Sequence, residues 1–232
     1  MDASRVFASS CRVAAVIAAT LACAPSIAQG PEDPASINAY NPREVALLPR
    51  FCKFTQIFRD RVPGGNSFQE IEQWRALIGP RFEALHHYCW GLMKTNRANL
   101  MVDGKQRQFY LTDAIGEYDF VLEKATDDFI LLPEILTKKG ENLVRLGRGP
   151  AAVVIFERAM ALKPDYWPPF AQLSDYYREL GEPKKAREVL VRGLSSAPDT
   201  PALKRRLAEL EAAPEGKKST ARASKQNAAA AP

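Results

Sequence analysis

The stretch from Pro133 to Thr200, laid over itself at a spacing of 34 residues, brings glycine onto glycine, alanine onto alanine and proline onto proline. Gly147 falls on Gly181, Ala152 on Ala186 and Pro164 on Pro198. Between these anchors Leu136 meets Phe170, Leu143 meets Tyr177, Phe156 meets Leu190 and Leu162 meets Ser196. A period of this length accommodates one helix–turn–helix unit. The pattern inside the second copy agrees. Phe170, Leu173, Tyr177 and Leu180 recur at helical spacing and predict one apolar stripe; Ala186, Val189, Leu190, Leu194 and Ala197 predict its partner. Gly140 and Ser174 on the first helices, with Ala152 and Ala186 on the second, are small enough to let helix axes approach to about 8–10 Å. Gly147 and Gly181 fall at the turn inside each copy, where the residue past a helix end often needs positive φ. Pro150 and Pro183 suit the first turn of the helices that follow, where a missing N–H costs nothing, and Pro164 and Pro198 end those helices.

These residues at this period resemble the tetratricopeptide repeat. The resemblance implies an all-α fold: a short helix–turn–helix solenoid with an N-terminal helical segment and a C-terminal capping helix. Lys139 and Gly193 depart from the family, which usually has a large apolar residue and an alanine there. The family's inner groove is lined by the first helix of each unit. Carried onto this chain, that groove comprises Glu134, Thr137, Glu141, Val144 and Arg145, then Ala171, Asp175, Arg178 and Glu179. One subgroup grips the C-terminal carboxylate of chaperones with Asn, Lys and Arg. Glu141 and Asp175 stand at comparable places here and are expected to repel such a ligand. A mixed-charge helix or extended segment of a partner fits better, unless these charges are simply a solvated face.

Ahead of the repeats, residues 1–28 read as a signal peptide. Arg5 and Arg12 supply the positive flank, Val13 to Ala24 an apolar run too short to span a bilayer, and Ser26, Ile27 and Ala28 a cleavage site after Ala28. Thr20, Leu21 and Ala22 before Cys23 also resemble a lipoprotein signal, which would place a lipid anchor on Cys23. Either way the mature chain has no transmembrane segment, and a periplasmic or secreted location is expected. Cys11 and Cys23 fall inside the leader, so Cys52 and Cys89 remain as an even pair, and in an oxidising compartment the economical expectation is a disulfide.

Residues 29–42 read as a flexible arm. Residues 43–132 read as a helical region whose latter part is a degenerate first repeat. Its expected features are an ordered segment over Arg43 to Arg61, a helix capped by Ser67 with Glu70, a helix over Arg81 to Ala98, a polar loop over Leu100 to Arg107 and a helix over Gln108 to Ala125. Units follow at 133–166 and 167–200, then a capping helix at 201–214 whose polar back closes the stack. A basic tail at 215–232 lacks apolar periodicity and is expected to be disordered.

The net charge of +5 belongs to the ends: the leader holds +1 and the tail +3, leaving +1 on the body. A nearly neutral body is no footprint for nucleic acid. The only histidines, His86 and His87, lie in the string His86-His87-Tyr88-Cys89-Trp90. His86 and Cys89 would share a helix face and, with Cys52 nearby, could serve a zinc ion or a thiol–imidazole pair. No fourth ligand is evident, and a disulfide would consume both thiols. The duller account packs His87 and Trp90 in a junction and gives His86 a backbone partner. No phosphate-binding glycine loop, nucleophile elbow or His-Glu-x-x-His occurs in the sequence. The chain is therefore expected to be no enzyme, to need no cofactor or metal, and to act as a scaffold for another envelope or exported protein. Assembly or secretion is the expected setting, and a zinc- or thiol-dependent enzyme centred on His86, His87 and Cys89 is the alternative.

Overall fold

The computed structural model describes residues 42–212, and among these the chain is all-α. The expected leader at 1–28, the tail at 215–232 and all but Pro42 of the arm lie outside the described residues. A short α1 (Pro42–Ala46) and a 3-10 turn (Arg50–Phe54) lead to α2 (Phe68–Ile78) and a second 3-10 turn (Pro80–Ala84). The stack follows: α3 (Leu85–Leu100), α4 (Gly104–Glu123), α5 (Leu132–Arg145), α6 (Gly149–Leu162), α7 (Pro168–Glu179), α8 (Pro183–Ser196) and α9 (Pro201–Ala212). Among the described residues no helix is long and apolar enough to cross a membrane.

The helices pack in successive pairs, α3 with α4, α5 with α6 and α7 with α8, and α9 closes against α8 and α7. The two repeat turns are built alike. At the first, Gly147 takes φ 75°, its N–H donates to Val144 O and the Arg148 N–H donates to Leu143 O at 2.8 Å. At the second, 34 residues on, Gly181 takes φ 75°, its N–H donates to Arg178 O and the Glu182 N–H donates to Tyr177 O at 2.9 Å. Each satisfies two carbonyls at a helix end through a left-handed residue, which is why glycine occupies both positions. Pro168 and Pro169 open α7, Pro183 opens α8 and Pro201 opens α9, as expected of residues whose missing N–H would have no intrahelical partner.

Two apolar clusters hold the stack. Phe156, Phe170, Leu173, Leu190 and Leu203 centre the C-terminal one, all within 2% exposure. The N-terminal one gathers Phe58, Phe82, Leu85, Tyr88 and Trp90 around a disulfide between Cys52 and Cys89, whose sulfurs are 2.06 Å apart and whose residues are fully buried. That bond ties the irregular segment before α2 to the middle of α3. Glu44 reinforces it, accepting from Arg97 Nε at 2.6 Å and Nη2 at 2.9 Å. Leu180 departs from its expected stripe: it caps the end of α7 and stands half exposed.

Three local expectations are corrected. The helix expected over Arg81 to Ala98 starts as a 3-10 turn and becomes α-helical only at Leu85, continuing to Leu100. The polar loop expected from Leu100 to Arg107 shrinks to residues 101–103, because Asp103 caps α4 by accepting the Gln106 N–H at 2.8 Å. Ser67 precedes α2 without a side-chain cap, and Glu70 instead accepts from Arg50 Nη2 at 2.6 Å.

Candidate functional site

Helices α3, α5 and α7, the first members of the three pairs, turn one face each toward a shared cleft of about 400 Å³. From α3 come Leu92, Thr95, Asn96 and Asn99; from α5, Lys138, Glu141, Val144 and Arg145; from α7, Gln172, Asp175, Tyr176 and Glu179. Each set recurs at three- and four-residue steps, so one face of each helix supplies it. The α3–α4 pair therefore contributes its first helix to the cleft on equal terms with the two pairs that follow. Its four lining residues were not among the expected groove positions, because the 34-residue pattern does not extend to them. Their only signal was the polar run Thr95-Asn96-Arg97 on a helix otherwise rich in buried side chains.

Of the nine expected groove residues, Glu141, Val144, Arg145, Asp175 and Glu179 line this cleft. Thr137 and Ala171 do not: both are 1% exposed, and Thr137 Oγ1 donates to Pro133 O at 2.7 Å. They sit on the edge of the helix face that meets its neighbours. Glu134 lies a turn further along α5, outside the cleft lining, and accepts from the Tyr88 hydroxyl at 2.5 Å. Burial first, then the Glu134 carboxylate, drive the Tyr88 pKa well above that of an ordinary phenol, so this contact is a neutral hydroxyl on a carboxylate. Arg178 is exposed beside the cleft and pairs with Asp175 at 3.1 Å.

The charges in the cleft are largely answered from within. Lys138 Nζ lies 3.1 Å from Glu141, and Arg206 of α9 donates from Nε to Asp175 at 2.9 Å. The expectation that Glu141 and Asp175 would act as free acids is thus modified: both carry a cation beside them. Arg145 is different. Its guanidinium donates to the amide oxygens of Asn99 at 2.7 Å and Asn142 at 3.5 Å. Asn142, fully buried, donates in turn to Thr95 Oγ1 at 2.8 Å, which lies 3.0 Å from the Tyr118 hydroxyl. This chain of polar contacts joins α3, α4 and α5 beneath the cleft floor and fixes the direction of Arg145.

The histidine string is committed elsewhere. Cys89 is in the disulfide, so it supplies neither a thiolate ligand nor a nucleophile. His86 Nδ1 donates to Glu83 O at 2.9 Å, as the duller reading had it, and burial above all lowers its pKa. His87 is half buried, with Nδ1 2.6 Å from Glu117 Oε2 and its ring stacked at 3.7 Å on Phe120. Glu117 also takes Lys94 Nζ at 2.6 Å, and Lys94 reaches Asp113 at the same distance. Burial opposes the Glu117 charge, but the hydrogen bonds from His87 and Lys94 prevail and hold its pKa below the usual carboxylate value. Lys139, unusual for its position in the repeat, threads its amine out to Asp119 at 2.5 Å. Among the described residues no group of three or more His, Cys, Asp and Glu side chains is placed to hold a metal ion.

Residues 143–210 match the family model described as the tetratricopeptide repeat. The match begins at the last turn of α5 and runs through α6, α7 and α8 into α9, so it takes in the second unit whole and the first from Leu143 on. No curated protein matches the chain.

Proposed function

We propose, for a chain that carries tetratricopeptide repeats, that it is an exported adaptor: it holds another envelope or exported protein in the cleft between α3, α5 and α7, in the service of an envelope assembly or secretion system. Repeats of this family mediate protein–protein interaction, and that coarser role needs no further support. The observation that carries the finer one is the cleft itself, a continuous polar and apolar surface drawn from three successive helix pairs. Such a surface suits a helix or extended segment laid across the units. The leader-like residues 1–28 and the buried Cys52–Cys89 disulfide support export to an oxidising space, the periplasm being the simplest. We read the protein as a binding and not a catalytic one, since Cys52 and Cys89 are bridged and His86 and His87 are engaged by Glu83 and Glu117.

Photo-crosslinking from Gln172, followed by pull-down from cell envelope, tests the reading. A discrete exported partner captured from Gln172 and lost when Asn96→Lys and Val144→Lys are added is the expected result. Capture unchanged by those substitutions would move the binding face off the cleft. Sequencing the N-terminus of the purified protein checks the leader, with Gln29 as the expected first residue.

A further inference from the structure

Around the turn between α3 and α4 three large apolar side chains stand in water: Leu100 at the end of α3 is 78% exposed, Val102 in the turn 94% and Phe109 in the second turn of α4 51%. This turn is braced. Arg107 donates from Nη2 to Met101 O at 2.7 Å and from Nε at 3.2 Å, while Asp103 caps α4. The apolar groups are therefore presented by a fixed backbone, and the entropy of ordering them is already spent. Met101 and Leu146, the residue just past α5, both pack against a small satellite cluster of Ala98, Tyr110 and Leu111, so the turn adjoins the end of the cleft where Arg145 meets Asn99.

The same place holds two guanidinium groups with no carboxylate within ion-pair distance among the described residues. Arg107 spends its donors on backbone carbonyls and Arg145 on amide oxygens. They gather on one short stretch: Arg107 holds the carbonyl of Met101 and Arg145 the amide of Asn99, two residues apart on the chain. Burial first, and then Arg107, lower the Arg145 pKa, with Glu141 acting weakly in the other direction while its own nearest cation is Lys138. Two like charges held together beside exposed apolar surface are relieved by an anion that arrives with apolar company.

Resting on the reading of the cleft as the partner surface, we propose that the α3–α4 turn and Arg145 form an anchor for an acidic–apolar segment of the partner, a carboxylate lying on Arg145 and Arg107 while neighbouring apolar side chains cover Val102 and Phe109. The carboxylate belongs to an Asp or Glu side chain inside the segment. Arg107 lies between Val102 and Phe109 along the chain, so a segment that covers both apolar groups passes the charge and does not end on it.

The probe is a short acetylated and amidated peptide alternating Asp with Leu and Phe, labelled for fluorescence anisotropy and titrated with the full mature protein. Binding is expected. Asn in place of Asp, or Arg145→Gln in the protein, should weaken it about tenfold or more, as loss of a charge-assisted contact does. Val102→Ser with Phe109→Ser should weaken it comparably, and both side chains are exposed enough for the variant to fold. Added salt should weaken the Asp peptide more than its Asn counterpart. No binding, equal binding of the Asn peptide, or indifference to both protein variants would overturn the anchor. Preference for an Asp-free peptide with a free C-terminus would overturn it too, in favour of a chain-end site. These failures are separable from failure of the cleft itself, which is read by capture from Gln172.

Discussion

Gly140 and Phe156 touch so closely that a methyl group built on Gly140 would lie 2.5 Å from Phe156 Cε1. The absent side chain on α5 is what lets α6 seat a fully buried ring against it. Gly116, on the exposed side of α4, is the opposite case: a Cβ there meets nothing within 4 Å. Both glycines are helical, so alanine relieves the same conformational cost of roughly 0.5–1 kcal/mol at each. Only at Gly140 does it also force an overpacked core, costing about 1–3 kcal/mol. Gly116→Ala should therefore raise stability to urea and Gly140→Ala should lower it. Two changes of the same sign would show that the α5–α6 contact is looser than described.

Acid should weaken the fold in two stages. His86 has a pKa lowered chiefly by burial, so the unfolded chain binds its proton more readily than the folded one. Stability is full above the ordinary value of 6.5 and is lost as pH falls from there through the lower folded value. Glu117 has a folded pKa held below its ordinary 4.5 by His87 and Lys94 against the pull of burial. Its contribution is present above 4.5 and lost as pH falls through the folded value. His86→Gln retains an N–H for the Glu83 carbonyl and removes the first stage alone. Urea midpoints measured across mildly acidic to strongly acidic buffers should show the upper step vanish in this variant and the lower step persist. An unchanged upper step would assign it to another group.

The regular units were legible because their constraints repeat. Gly147 and Gly181 must both be left-handed, and Gly140, Ser174, Ala152 and Ala186 must all be small, so one period exposes them together. The disulfide was legible from parity and compartment chemistry. What failed was local and unrepeated. Ser67 followed by Glu70 has the composition of a capping box, but Glu70 is drawn to Arg50, twenty residues away, a tertiary contact no local pattern contains. Ile57 takes φ 74°, a left-handed conformation that a β-branched residue rarely adopts and that no sequence pattern announces. Thr137 and Ala171 were assigned to the groove by resemblance, yet a helix has no sharp border between lining and packing faces, and a small rotation buries both. The cleft residues of α3 stayed hidden because the first pair packs like the others without sharing their 34-residue period.

The disulfide closes a loop across a sequence separation of 37. In the chain-entropy account a loop of that size stabilises the fold by about 3–4 kcal/mol. Cys52→Ser with Cys89→Ser should lower the unfolding free energy by roughly that amount, and the oxidised chain should weigh two hydrogens less than its reduced form. Because both cysteines are fully buried, reductant alone should act slowly at native conditions and quickly in urea. Rapid reduction of the folded protein would mean that the segment before α2 opens from α3 without global unfolding. Intact mass with and without reductant, followed through a urea series, reads both outcomes.

Lys94 is 2% exposed and holds two carboxylates, Asp113 and Glu117, each 2.6 Å from its amine. Replacing it with Met keeps the stem and removes the charge. Glu117, whose side chain is 15% exposed, then keeps only its His87 hydrogen bond, and removing one member of a buried pair costs about 3–5 kcal/mol. Asp113 is more open and can rehydrate, which places the expected loss for Lys94→Met toward the lower end of that range. The complementary change tells desolvation from packing. If the cost comes from stranded charge, adding Glu117→Gln to Lys94→Met should recover a kilocalorie or more, about the size of couplings seen between contacting polar groups. If it comes from the lost fit of the lysine stem between α3 and α4, the second substitution should only add to the damage. A double-mutant cycle on urea unfolding decides between them, and an additive cycle would remove electrostatics as the reason for a lysine at this buried position.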